Sequence, residues 1–173
     1  MKVSLIVGAI VVIALVAVVF VMNKKEAPPA PAEVTVPTAA DPRAAQKQFL
    51  VDNLKNEGWK ATDSGLQYKV LKSVESGPKP APGSEVTVNY EGKSITGDVF
   101  DSSYARGEPA TFPLNRVITG WGEGVPLMKE GETFEFAIPS NLAYGERGAP
   151  PKIKGGDTLI FKIELLKVHT PAP

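Results

Sequence analysis

Few side chains in these 173 residues could make or break a covalent bond. There is one histidine and no cysteine. A Ser-His-Asp triad, a zinc-hydrolase site or a histidine metal cluster would each depend on His169 alone, which all but excludes those chemistries. Lacking cysteine, the chain has neither a thiol nucleophile nor a disulfide. Gly92-Lys93-Ser94 looks like the end of a phosphate-binding loop, but Thr87 stands where its first glycine is required. Gly120-Trp121-Gly122-Glu123-Gly124 suggests a dinucleotide fingerprint; Leu127 breaks it, and no parallel βαβ unit follows. The carboxylates do not follow calcium-loop spacing. No metal and no cofactor is expected.

What remains is a set of aromatic residues gathered around turns. Phe100-Asp101-Ser102-Ser103 follows an apparent strand. Phe112, Val117-Ile118 and Trp121 flank a glycine-rich stretch, and Tyr144-Gly145 lies in a later loop. Aromatics within strands are ordinary core, but those in loops more often belong to binding sites. A concave apolar pocket with few polar groups suits a small ligand or a peptide.

Several elements must position these residues. Val3–Met22 carries no charge and as a helix would reach roughly 30 Å, the hydrocarbon thickness of a bilayer. It exceeds the usual length of a signal-peptide core and exits into Asn23-Lys24-Lys25, so residues 1–25 read as a retained anchor, with a cleaved signal as the alternative. Residues 26–41, rich in proline and alanine, form an extended spacer. Asp41-Pro42 opens a helix, and Ala45, Phe49, Leu50 and Leu54 recur at helical spacing until Gly58, which gives a short amphipathic helix over 42–58. It either packs on the domain or acts as a dimerisation arm, and four turns are short for an independent interface.

Beyond Gly65 the period becomes two. Leu66, Tyr68 and Val70 alternate with polar residues, as do Val86, Val88 and Tyr90, then Phe134, Phe136 and Ile138, then Leu159, Phe161, Ile163 and Leu165. The pattern predicts an antiparallel sheet with one polar and one buried face. Arg116–Met128 holds the one helix expected within this sheet domain, and its glycines make it dependent on tertiary packing. Nineteen basic residues balance nineteen acidic ones, which argues against a nucleic-acid partner bound by a basic face.

Six blocks in order carry a family likeness: Gly65-Leu66-Gln67-Tyr68-Lys69-Val70, Val86–Tyr90, Val99–Ser103, Val117–Trp121, Pro139–Gly145 and Leu159–Phe161. From about Thr62 to Val168 the chain resembles the FKBP-type peptidyl-prolyl cis–trans isomerases, most closely the exported bacterial branch that includes the macrophage infectivity potentiator proteins. The resemblance implies an α+β fold, a curved antiparallel sheet wrapped around one short helix, with the isomerase domain at 62–168. It implies a pocket floored by Trp121 and walled by Tyr90, Phe100, Phe112, Val117, Ile118, Tyr144, Ile153 and Phe161. Asp101 would be the one buried charge. Asp101, Tyr144 and Phe100 are thereby assigned to catalysis, and the other residues to substrate binding. The Ile118 amide and the Tyr144 hydroxyl would bond substrate carbonyls, with Asp101 helping to hold the carbonyl rotated. Implied partners are proline-containing polypeptide clients and macrolide inhibitors of the rapamycin class. The implied location is the bacterial inner membrane, with a single pass and the domain in the periplasm, or, if the segment is cleaved, the soluble periplasm.

Some positions depart from relatives. Ala110 replaces an aromatic of the small cytosolic members, Ala149 a frequent histidine, and Lys152 a frequent apolar residue. Lys154-Gly155-Gly156-Asp157 replaces a proline-containing turn, which predicts a looser loop beside Ile153.

The reaction fits the residue inventory. Rotating an X-Pro amide breaks conjugation but no σ bond, so neither nucleophile nor metal is needed. A rotamase that speeds folding of exported proteins is one reading; a binding module or chaperone with the same fold is the other.

Overall fold

Alternating apolar residues become one antiparallel sheet because each strand presents every second side chain to a single core. The computed structural model describes residues 41–169, so the expected anchor at 3–22 and all of the spacer but Asp41 lie outside the described residues. Among the described residues, no helix is long and apolar enough to cross a membrane.

Helix α1 spans Pro42–Asn53. Strands β1 (Trp59–Ala61), β2 (Gln67–Lys72), β3 (Glu85–Ser94) and β4 (Val99–Ser102) follow, then a single turn α2 (Ser103–Arg106) and β5 (Ala110–Pro113). Helix α3 (Thr119–Gly124) runs into a 3₁₀ turn, and β6 (Thr133–Ile138) and β7 (Leu159–His169) complete the sheet. Strand order is β1-β2-β6-β7-β3-β4, with β5 also paired to β3. β3 is the hinge of the site: β7 runs along one edge, while β5 and β4 share the other.

The alternation reads through into burial. Val86, Val88 and Tyr90 on β3, Phe134, Phe136 and Ile138 on β6, and Leu159, Phe161, Ile163 and Leu165 on β7 are all buried on one face. Against that face lies α3. A Cβ on Gly120 would come within 2.4 Å of Ile138, and one on Gly124 within 2.6 Å of Phe136. The glycines that weaken α3 as an isolated helix are thus what let its backbone lie flush on the sheet.

Three expectations need correction. The sheet domain holds the helical turn α2 besides the one helix expected within Arg116–Met128, because Ser102 caps that turn by accepting from the Ala105 N–H. The helix predicted over 42–58 ends at Asn53, because i→i+3 bonds from Lys55 to Asp52 and from Asn56 to Asn53 tighten its exit into turns. Its inward stripe is also different: Ala45 and Leu54 are exposed, whereas Gln46 is half-buried and Asn53 buried. The helix docks largely by hydrogen bonds. Asn53 Nδ2 donates to Gln67 Oε1 at 2.9 Å, and Gln67 Nε2 donates to the Leu50 carbonyl at 2.9 Å. Gln67 sits on the sheet face away from the core, so its polar position in the alternation is buried by α1. The helix start is as read: Asp41 accepts from the Arg43 N–H at 3.0 Å and Pro42 opens the first turn.

Candidate active site

The cavity lies between the core face of β3 and β7, the N-terminal end of α3 and the loop before β7. Its volume is about 720 Å³, which matches a peptide or small-ligand site. Tyr90, Phe100, Asp101, Phe112, Val117, Ile118, Trp121, Tyr144, Ile153 and Phe161 all line it, so every residue selected from the sequence is brought to one place. Arg116, Ala149, Pro150, Pro151 and Lys152 complete the lining.

Trp121 is the floor. It follows the Ile118 N-cap of α3, and its ring stands edge-on to Tyr90 (5.3 Å, 83°), Phe112 (5.7 Å, 89°) and Phe161 (5.3 Å, 89°). Edge-to-face contacts put the positive ring edge on a neighbour's negative face, and they hold each ring at a fixed tilt. Phe100 meets Phe161 in the same way at 5.5 Å and 82°. That contact depends on Gly92, which pairs with Phe161 across β7 and with Asp101 across β4. A Cβ there would lie 2.6 Å from both rings. The glycine that suggested a phosphate loop therefore serves to make room for two aromatic walls.

Asp101 corrects the sequence reading in two ways. It lies at the rim, not in the interior: its side chain keeps 45% of its exposure and pairs with Arg106. It belongs to β4, and the residue after it, Ser102, is the N-cap of α2 and accepts from the Ala105 N–H. Its carboxylate accepts from the Tyr90 hydroxyl and from Arg106 Nη1, both at 2.5 Å, while Arg106 Nη2 donates to the Tyr90 hydroxyl at 3.0 Å. Partial burial alone would raise the Asp101 pKa, but the bonds from Tyr90 and Arg106 outweigh it and hold the carboxyl below the usual range. Burial, then the bond to Asp101, pushes the Tyr90 phenol upward. An ionised carboxylate has no proton to donate, so Asp101 cannot bond a substrate carbonyl oxygen directly. Its carboxylate instead holds the Tyr90 hydroxyl beside the cavity.

The remaining donors stand elsewhere on the wall. The Ile118 N–H has no acceptor among the described residues. Tyr144, 43% exposed, presents its phenol at the mouth. The buried Trp121 indole Nε1 also lacks a partner among the described residues. Lys152 spans the opening, with Nζ donating to the Phe100 carbonyl at 2.8 Å. Sequence reasoning missed Arg106, Arg116, Pro150 and Pro151. Arg106 lies five residues after Asp101, a spacing that reaches back only because α2 turns the chain.

The loop beside Ile153, expected to be loose, is bonded at several points. Ala149 and Ile153 exchange backbone bonds of 2.9 and 3.1 Å, and the Gly156 N–H donates to Gly145 at 3.0 Å. Asp157 Oδ2 accepts from the Lys154 N–H at 2.8 Å. The aspartate that ends the departing turn replaces the missing proline's stiffness with a side-chain bond.

Known proteins share the sequence and the fold. A family model described as FKBP-type peptidyl-prolyl cis-trans isomerase matches residues 77–166, and one described as the domain amino terminal to it matches residues 21–70. A probable FKBP-type peptidyl-prolyl cis-trans isomerase FkpA of Neisseria meningitidis is 51% identical over 135 residues, covering 76% of this chain and 49% of the relative. The peptidyl-prolyl cis-trans isomerase Mip of Coxiella burnetii is 52% identical over 122 residues, covering 70% of this chain and 53% of the relative. Among solved structures, FkpA from Escherichia coli superposes with a TM-score of 0.72 at 43% identity, covering 78% of this chain and 62% of that one. A Pseudomonas syringae peptidyl-prolyl cis-trans isomerase gives 0.69 at 33% identity, covering 73% and 92%. The chain spans about half the length of the curated relatives it matches.

Proposed function

The chain belongs to the FKBP-type peptidyl-prolyl cis-trans isomerase family, and we propose that it isomerises X-Pro bonds in exported or envelope proteins as they fold. The observation that carries this reading is the aromatic cavity floored by Trp121, with the hydrogen-bonded Tyr90–Asp101–Arg106 set at its rim.

X-Pro bonds exchange over tens of seconds or more, because twisting the amide costs roughly 18–20 kcal/mol of conjugation. The twisted amide is less polar than the planar one. An apolar cavity therefore favours it over the ground state, which is the differential binding that catalysis requires. In this reading the proline ring packs on Trp121 between Tyr90, Phe112 and Phe161, against the Phe100 wall. The Ile118 N–H and the Tyr144 hydroxyl receive substrate carbonyls, while Asp101 and Arg106 hold Tyr90 in place. Lowering the barrier by about 7 kcal/mol accelerates rotation on the order of 10⁵-fold.

Residues 3–22 hold the domain at the bacterial inner membrane on its periplasmic side. What supports this is the uncharged run in the sequence, long enough to span a bilayer if helical, and the proline- and alanine-rich stretch that follows it.

The experiment is a protease-coupled assay of the full chain in detergent on short X-Pro peptides, with and without a macrolide of the rapamycin class. Turnover that the macrolide blocks is expected. Turnover that persists at saturating macrolide removes this cavity as the site, and no turnover with intact client binding leaves a holding module.

A further inference from the structure

The loop that walls the cavity is tied to the amino-terminal helix, and we propose that Gln46 on α1 is a positioning residue for isomerisation, fixing the Tyr144–Ile153 wall through Asp157 and Thr158. The proposal rests on the isomerase reading above.

Gln46 reaches across 111 residues of sequence to place Nε2 on Asp157 Oδ1 at 3.3 Å, and its Oε1 accepts from the Thr158 N–H at 2.9 Å. A carboxamide is suited to this role because it offers a donor and an acceptor side by side without a charge. The second oxygen of Asp157 accepts from the Lys154 N–H at 2.8 Å, and Lys154 directly follows Ile153 of the cavity wall. Ile153 in turn exchanges two backbone bonds with Ala149, another lining residue. An unbroken set of bonds thus runs from α1 to the wall. On the other side of the loop's base, the Gly156 N–H donates to Gly145, next to Tyr144.

Arg43, one turn earlier on the same helix, bonds Glu146 at 2.5 Å, so α1 touches the loop at both ends. Both partners of that ion pair are mostly exposed, and such pairs contribute little. Gln46 is half-buried, and Thr158, whose amide it receives, is only 1% exposed. Losing the carboxamide would leave that buried amide without its acceptor, which costs more than an exposed bond returns. No proline stiffens the Lys154–Asp157 turn; its own backbone bond, from the Asp157 N–H to the Lys154 carbonyl, is 3.3 Å long, and the brace from α1 adds to it by holding the Asp157 carboxylate.

The test uses the full chain with Gln46→Ala, Asp157→Ala and both together, and Gln48→Ala as control. Gln48 bonds Asp52 on the exposed side of the same helix. Amide exchange is read at Lys154, Gly156 and Thr158 against Tyr90 and Ile163 in the sheet, and kcat/KM is read on an X-Pro peptide well below the melting range. For Gln46→Ala, exchange in the loop should rise about fivefold, the loss of roughly one net hydrogen bond, with the sheet amides unchanged. kcat/KM should fall about threefold to tenfold, and Gln48→Ala should match the parent. The double variant should lose no more than the worse single one, since the two residues act as a unit. A helix that merely docks would move loop and sheet amides together and leave kcat/KM intact; that result, or additive losses in the double variant, overturns the proposal. If the unmodified chain shows no turnover, the isomerase reading fails by itself, and the exchange comparison still decides whether α1 braces the loop.

Discussion

The Tyr90 hydroxyl donates to Asp101 across the β3–β4 pair, and the same hydroxyl accepts from Arg106. Those two bonds hold the tip of the Tyr90 side chain in place, while Trp121 and Phe112 meet its ring edge-on.

Asp101→Leu should lower kcat/KM at least tenfold, about 1.4 kcal/mol of transition-state stabilisation. Leucine leaves the Tyr90 hydroxyl without its acceptor and Arg106 without its counter-ion. The thermal midpoint should move little, because a half-exposed ion pair contributes little to stability. Steady-state kinetics and a melting curve on one preparation check this. Full activity with a lowered midpoint would remove Asp101 from the site.

The pH dependence follows from the same group. Asp101 titrates below its unfolded value, so the native state binds fewer protons there and the contribution to stability is complete above the ordinary carboxylate value of about 3.9. It is lost as pH falls through the lower folded value. Tyr90 is shifted upward, so its proton stays in place through neutral pH and beyond. kcat/KM should therefore be level from about pH 5 to 8 and decline only below about pH 4. An acid limb centred between pH 5 and 6 would contradict the assignment.

Gly92→Ala tests the aromatic walls. Its Cβ would press on Phe100 and Phe161 at 2.6 Å, and rings so placed must tilt into the cavity. Overpacking of this kind costs about 1–3 kcal/mol. The affinity for a rapamycin-class macrolide, measured by calorimetry, should drop roughly tenfold or more for the same reason. Unchanged affinity would mean that the rings tolerate displacement and do not shape the site.

Gly120→Ala should destabilise the domain although alanine favours helices by about 1 kcal/mol over glycine. The added methyl meets Ile138 at 2.4 Å and lifts α3 off the sheet, at a cost of about 1–3 kcal/mol. Urea denaturation should show the midpoint falling with little change in slope. A stabilised variant would show that α3 is held by its own propensity.

Placement is tested on membranes. The full chain should remain in the membrane through high-salt and carbonate washes, and protease added outside the inner membrane should digest the domain. A soluble form beginning near Glu33 would identify a cleaved signal, and a domain protected in intact spheroplasts would place it in the cytoplasm.

By itself the sequence determined what repeats locally. Period-two alternation marked the core faces of β3, β6 and β7, and Asp41-Pro42 marked the start of α1, because side-chain direction in a strand and the first turn of a helix depend on near neighbours. The residues lining the cavity were also legible, through motif likeness and not through periodicity. Tertiary structure decided what depends on distant approach. Asp101 reads as a buried charge until α2 carries Arg106 back to it. Gly92, Gly120 and Gly124 read as loop signals or helix breakers until facing rings and side chains show that the space beside them is filled. Gln46 and Asn53 lie outside the apolar stripe that marks α1 in the sequence, yet both dock the helix. The physical reason is common to all: a polar or small residue is defined by the group that meets it, and in this fold that group comes from another strand, helix or loop.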